Sequence, residues 1–262
     1  MLVLYHSGLT TCSKQVRHCL REKGLKYESR YVELWRYENL SPEYLKLNPN
    51  GVVPTLVHDG TIIVESTVII HYLDDLFPDP PLMPRAPLDR TRAHLFKKLM
   101  DEYIHPACIV YTFATANRGR FAGLSPEQRA EQYAKMPLQR QAEYKRAGVE
   151  EGIGSPAGKE ATKSFMKLLK WIEESTEKSA WLAGPDYSLA DIAAIPYMMR
   201  LEMLRLARLW DHKPGVAAWW ERAKARPSFD KAFTQWLRPQ DWQRYEKMPD
   251  PWPDVSKNLA AV

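Results

Sequence analysis

A proline interrupts an otherwise apolar run at Val52-Val53-Pro54-Thr55-Leu56-Val57. Proline has no backbone N–H, so a strand pattern tolerates it only at an edge, a bulge or a cis turn. The run is entered through Asn48-Pro49-Asn50-Gly51, a dense turn signal. A strand begun this way leaves the backbone of Val53 free to pair with an extended ligand. Further on, Val64-Glu65-Ser66-Thr67 sets an acid and a hydroxyl where a helix starts. Helix N-terminal N–H groups hold a carboxylate, and Glu65 can accept from an ammonium. Together the two pieces suit a small charged peptide with an amino acid head and an extended tail.

The pattern around this feature switches between period two and period 3.6. Residues 2–6 and 27–33 read as strands. Residues 14–23 read as a helix with Val16, Cys19 and Leu20 on one face and Gly24 as its stop. A short helix is expected at 42–47, and a hairpin at 55–58 and 61–64 around Asp59-Gly60. A helix over 67–77 should turn Val68, Ile69, Tyr72, Leu73 and Leu76 inward. The order βαβαββα describes a small α/β sheet. Residues 78–87 are too rich in proline for helix or strand and read as an interdomain linker. Beyond them the chain reads as helical, at 88–117, 126–149, 158–178, 189–207 and 216–226, with a flexible break at 152–158. Tyr187-Ser188-Leu189-Ala190-Asp191 has the spacing of a capping box and reads as a structural element. A tail from residue 239, with Trp242, Tyr245 and Trp252 among prolines, is expected to wrap the helical part.

Composition narrows the function. With 262 residues, the chain suits two modest domains rather than one small core. No apolar run approaches the ~20 residues of a membrane helix, and residues 1–6 read as a strand rather than a targeting signal. Three cysteines, Cys12, Cys19 and Cys108, form no disulfide framework, and no metal-ligand spacing appears. A reducing cytoplasm is the expected compartment, with no membrane partner. The formal net charge of +5 invites a nucleic-acid reading. The cations are scattered, however, and Glu202 lies among Arg200, Arg205 and Arg208, so no nucleic-acid partner is expected.

The proline motif, the linker and the helical second half resemble the cytosolic glutathione transferase family over nearly the whole chain. The resemblance implies an α/β thioredoxin-like N-terminal domain at 1–78, a linker at 79–87 and an all-α domain with its tail at 88–262. It implies glutathione as co-substrate, an electrophilic second substrate and a homodimer. On the family pattern Pro54 is cis and Val53 pairs with the cysteinyl unit of glutathione. Glu65 and Ser66 hold the γ-glutamyl end, and Asn39 reaches toward the glycine carboxylate or, equally, makes a turn. Residues Thr10-Thr11-Cys12-Ser13-Lys14-Gln15-Val16-Arg17 are similar to the zeta-class serine signature. Asp101-Glu102-Tyr103, Met136-Pro137-Leu138-Gln139 and residues 141–146 are closer to bacterial enzymes that cleave β-aryl ethers.

Glutathione must react as its thiolate, and a free thiol with a pKa of about 8.5 is mostly protonated at neutral pH. A helix N-terminus and a hydroxyl donor aimed at the sulfur favour the anion. Ser13 is the expected donor, matching a serine of the β-etherase-like sequences, Thr10 is its rival, and Ser13 can equally be a plain N-cap. Cys12 either forms a mixed disulfide with glutathione, making the protein a thiol–disulfide oxidoreductase, or packs beneath the loop. A non-catalytic scaffold is the third reading. Tyr5 reads as structural by its place in the strand. For the second substrate, Asp101, His105, Cys108, Tyr111 and Thr112 recur at helical spacing, with Tyr103, Tyr111 and Phe113 as aromatic surface and His105 as a possible acid.

Overall fold

The computed structural model describes residues 1–261. Strand β1 (Leu2–His6) leads into α1 (Thr11–Glu22), then β2 (Glu28–Tyr31), α2 (Pro42–Leu47), β3 (Thr55–His58), β4 (Thr61–Val64) and α3 (Ser66–Leu76). The sheet order is β2-β1-β3-β4. β2 runs parallel to β1, with Leu4 opposite Ser29, while β3 runs antiparallel to it, with Leu4 opposite Leu56. β4 closes the hairpin with Ile63 opposite Leu56. This is the mixed four-stranded sheet expected of a thioredoxin-like domain, followed by helices alone.

The core of this sheet follows from alternation. Leu2 and Leu4 are buried on β1, as are Val16, Cys19 and Leu20 on α1 and Ile69, Ile70 and Leu73 on α3. Val68 and Leu76 differ from expectation: they are 51% and 41% exposed, because Ile70 rather than either of them completes the inward stripe. The proline-rich segment after α3 is held by side chains. Asp74 accepts from the N–H groups of Leu82 and Met83 at 2.9 Å each. The buried Lys23 ammonium pairs with Asp74 at 2.6 Å and also donates to the carbonyls of Phe77 and Pro80.

The remaining elements are α4 (Pro87–Leu99), α5 (His105–Ala114), α6 (Pro126–Ala134), α7 (Gln139–Arg146), α8 (Pro156–Thr176), α9 (Leu189–Met203), α10 (Pro214–Lys224), α11 (Pro227–Ala232), α12 (Pro239–Lys247) and α13 (Trp252–Ala260). A π-helical turn over Met100–Ile104 joins α4 to α5. The helix expected at 126–149 is two, broken before Pro137, whose ring cannot continue a helix. Residues 152–158 are an ordered cap instead of a flexible break. Ser155 accepts from the Gly158 N–H at 3.1 Å and donates to the Gly152 carbonyl at 2.7 Å. Any Cβ at Gly158 would strike the Ile153 backbone.

The chain divides into two compact units. The first comprises residues 1–97, 175–196 and 218–238; the second comprises 98–174, 197–217 and 239–262. Within the second, the tail forms α12 and α13, two helices missed by sequence patterning. Asn258 on α13 donates to the Ile153 carbonyl and to Thr162. The three arginines weighed in the nucleic-acid question are engaged here. Arg200 is buried and donates to Thr112 at 2.9 Å, Arg205 donates to the Met248 carbonyl, and Arg208 lies over the Trp252 ring.

Candidate active site

The first unit brings the sequence-predicted residues into two groups. One is the loop between β1 and α1. Thr10, not Ser13, is the N-cap of α1: its backbone is extended and its Oγ1 accepts from the Ser13 N–H at 3.4 Å. Its hydroxyl also donates to Ser13 Oγ at 2.6 Å, and the Ser7 N–H donates to the same oxygen at 3.3 Å. Ser13 is fully buried, whereas Thr10 and Cys12 are half-buried. No acidic residue occupies the first turn of α1, so nothing on the helix competes with an incoming anion.

Arg17, one turn below Ser13, holds this loop from beneath. It is fully buried and donates to the carbonyls of Ser7, Gly8 and Ala232 at 2.9, 3.0 and 2.9 Å. Burial pulls its pKa down to about 9. It also lies 3.1 Å from Nδ1 of the buried His6, and burial followed by the Arg17 charge lowers the imidazole to about 3, so His6 is neutral. The other ring nitrogen of His6 meets Ser29 Oγ at 2.8 Å, and its face is crossed by Trp236 at 4.5 Å. Gly8 is required where it stands, since a Cβ would collide with the Trp236 carbonyl. Sequence reasoning assigned no role to Arg17 or Trp236. For Arg17 a signal existed: a cation four residues after Ser13, on the helix face that carries the loop.

The second group surrounds the proline. The Val53–Pro54 peptide is cis, as the family resemblance implies. The turn before it is buttressed from α2: Tyr44 donates its hydroxyl to the Val52 carbonyl at 2.7 Å, and Asn48 donates to the same carbonyl at 2.9 Å. Among the described residues no hydrogen bond occupies the N–H or C=O of Val53. Asn39 donates to the Gly51 carbonyl at 2.7 Å, which is the turn-making role considered for it. At the start of α3, Glu65 adopts φ 67° and ψ 113°, is exposed, and makes no cap bond with its side chain. Such a conformation at a non-glycine residue costs of order 1–3 kcal/mol, and strain of this kind clusters at active sites and ligand clamps. Ser66 follows as the first helical residue, 7% exposed.

Tyr5 packs edge-on against Tyr44 at 6.1 Å, as a structural residue would. In the second unit, Tyr111 does not offer aromatic surface. It is fully buried and its hydroxyl meets Thr162 at 2.6 Å, because its side of α5 faces α8. Phe113 packs into a cluster with Phe121 and Tyr133, Thr112 receives the Arg200 bond, and Cys108 is buried. Tyr103 and Asp101 stay exposed in the π-helical turn, and His105 Nδ1 lies 3.3 Å from the Tyr197 hydroxyl.

Residues 4–81 match the N-terminal domain model of the glutathione S-transferases and residues 129–227 match the C-terminal one. The chain is 31% identical over 242 residues to Protein LigF from Sphingobium sp. strain SYK-6, covering 88% of this chain and 93% of that protein. The crystal structure of beta-etherase LigF superposes with a TM-score of 0.79 at 29% identity, over 89% of this chain and 99% of that one. Identity is 28% to the tetrachloro-p-hydroquinone reductive dehalogenase of Sphingobium chlorophenolicum, over 87% of this chain and 94% of the dehalogenase. The chain belongs to the glutathione S-transferase family. It is accordingly an enzyme that takes glutathione as co-substrate.

Proposed function

We propose that the thiolate of glutathione, formed at the N-terminus of α1, attacks an aromatic electrophile, and that the reaction is cleavage of a β-aryl ether. The carbon–sulfur bond forms as the carbon–oxygen bond breaks, and the phenolate leaves and takes a proton from water. The observation that carries the chemistry is the Thr10–Ser13 hydroxyl pair at a helix start without a carboxylate. The ether is suggested by the likeness to LigF over nearly the whole of both chains.

In this reading Thr10, half-buried, turns its hydroxyl from Ser13 to the sulfur. Ser13, fixed by the Ser7 N–H, then donates to Thr10 Oγ1 and acts as a positioning residue. The unoccupied backbone of Val53, beside Pro54, pairs with the cysteinyl unit. Glu65 accepts from the γ-glutamyl ammonium while Ser66 and the start of α3 hold its carboxylate. Asn39 fixes the loop through Gly51 rather than touching the ligand. The exposed apolar residues Val68, Leu76, Leu88 and Leu95 of the first unit suit a homodimer contact. The free cysteines suit a reducing cytoplasm.

Calorimetry of glutathione with the wild type and Glu65→Ala tests the site. Loss of a hydrogen bond to a charged group, worth about 1.5–3 kcal/mol, should weaken binding by roughly 10- to 100-fold. Turnover of a β-aryl ether with release of the free phenol tests the reaction. Conjugation of simple aryl halides with no ether cleavage would leave a transferase of different substrate class. Cys12→Ser should spare ether cleavage; its complete loss would move the chemistry to a mixed disulfide.

A further inference from the structure

An amine stands on an apolar stripe of the second unit. Ala142, Lys145 and Val149 follow one another at spacings of three and four along α7 and the π-helical turn Ala147–Glu151 that continues it. Ala142 and Val149 are buried with Phe121 and Tyr133, and Phe113, Leu124 and Met136 pack on them. The Lys145 Nζ donates to Met136 Sδ at 3.4 Å and lies 5.5 Å from the centre of the Phe113 ring. Among the described residues no carboxylate pairs with it. The acids of α6 and of the π-helical turn are engaged elsewhere or face solvent. Glu150 takes Arg129 at 2.7 Å and the Tyr133 hydroxyl at 3.4 Å, Glu131 pairs with Lys135, Glu127 takes the Ser125 hydroxyl, and Glu151 is exposed. On α7 itself, Glu143 is exposed and, two residues away, lies off the Lys145 face, while Arg140 donates to Tyr144. None of these residues is among those given to glutathione.

A thioether and a ring answer an ammonium less well than a carboxylate does. Burial opposes the charge, and the charge that reaches Lys145 is a second cation, Arg120. Together they bring its pKa down to about 8. A desolvated lysine beside another cation is an arrangement that frees an amine to attack a carbonyl carbon. The side chain is half-buried, so a small solute can reach it. We propose that Lys145 captures a small aldehyde as an imine. The nitrogen lone pair attacks the carbonyl carbon to give a carbinolamine. The aldehyde oxygen then leaves as water with the two N–H hydrogens, so no oxidant, reductant or further reactant is consumed. The product exchanges an ammonium for a neutral group, which suits the Phe113 ring and the Met136 thioether better.

The experiment treats the full chain at pH 7 with limiting propanal and sodium cyanoborohydride, which reduces an imine to a stable propylamine. Peptide mass spectrometry then reads the sites. A pKa of about 8 leaves on the order of 100-fold more free amine at that pH than the ordinary lysine value of about 10.4. Lys145 should therefore be labelled at least about tenfold faster than exposed lysines such as Lys26 and Lys46. Met136→Glu sets a carboxylate beside the amine in place of the thioether and should slow labelling of Lys145 by roughly tenfold. Glutathione binding and turnover should not change in that variant, which also shows that it folds. Labelling of Lys145 no faster than that of the exposed lysines would overturn the proposal, as would equal labelling in Met136→Glu. A carbamate on Lys145, seen by carbon-13 NMR in labelled bicarbonate, with no propyl label there, would overturn the aldehyde in favour of carbon dioxide.

Discussion

Among the hydroxyl caps of the first unit, those at the starts of α1 and α9 are used in opposite ways. At α9 the cap is closed. Ser188 donates its backbone N–H and its hydroxyl to Asp191 Oδ2, both at 3.0 Å, and Asp191 Oδ1 takes the Leu182 N–H at 3.1 Å and the Trp219 indole at 2.8 Å. Both residues are buried, and every lone pair on that carboxylate has an internal partner. At α1 the cap is open. Among the described residues the Thr10 side chain bonds Ser13 alone, no acid follows in the first turn, and the threonine is half exposed. The same local device thus serves folding where a carboxylate completes it, and leaves a donor and a helix dipole available for a thiolate where none does.

The largest effect expected is at the closed cap. Asp191→Ala would leave the buried donors of Leu182, Ser188 and Trp219 without an acceptor and should cost about 3 kcal/mol or more of stability, read by chemical denaturation. A loss under about 1 kcal/mol would mean that water enters and closes the cap. Next comes Arg17→Met, which strips the carbonyls of Ser7, Gly8 and Ala232 of their donor. Stability should drop by about 2–3 kcal/mol, and turnover should fall beyond what unfolding explains, because the loop that carries Thr10 loosens. Unchanged kcat in the folded fraction would remove Arg17 from the site.

Thr10→Val is the sharpest probe of the open cap. It should lower kcat/KM by roughly 10- to 100-fold through loss of about 1–3 kcal/mol of thiolate stabilisation. Thr10→Ser should retain most of the rate. Were Thr10→Val silent and Ser13→Ala severe, the donor would be Ser13 after all.

The two caps also separate by pH. His6, beneath the open one, has its folded pKa lowered to about 3. Its contribution is full above the unfolded value of about 6.5 and is lost as pH falls from there toward 3. Burial raises Asp191, in the closed one, to about 6. Its contribution is full below the unfolded value of about 3.9 and is lost as pH rises through 6. Melting temperatures between pH 4 and 6.5 should therefore rise less steeply with pH in His6→Gln than in the wild type. Parallel curves would show that His6 is not held neutral.

Much of this was readable without coordinates. The strand pattern of residues 2–6 placed β1, whose burial alternates because one face lies on the core, and the Asp59-Gly60 turn between two short apolar runs placed the β3–β4 hairpin. Val16, Cys19 and Leu20 lie inward, as helical spacing demands. Asn48 to Pro54 and Glu65-Ser66 were legible because turn chemistry and helix starts are local. The tail helices α12 and α13 were not, since their few apolar residues gain a helical reason only against partners such as Ile153 and Thr162. Nor was the inward turn of Tyr111, which depends on Thr162, fifty-one residues away.

Sequence by itself determined the α/β first part and the helical remainder, through short-range periodicity and the backbone demands of proline and helix ends, and its motifs carried the resemblance to the family. Tertiary structure alone decided which hydroxyl is open. Thr10 and Ser13 are chemically near equivalents in the chain. Only the Ser7 N–H folded back onto Ser13, and Arg17 drawn beneath the loop from Ala232, bury one and leave the other at the surface. Exposure is a property of what packs over a residue, and no window along the chain contains it.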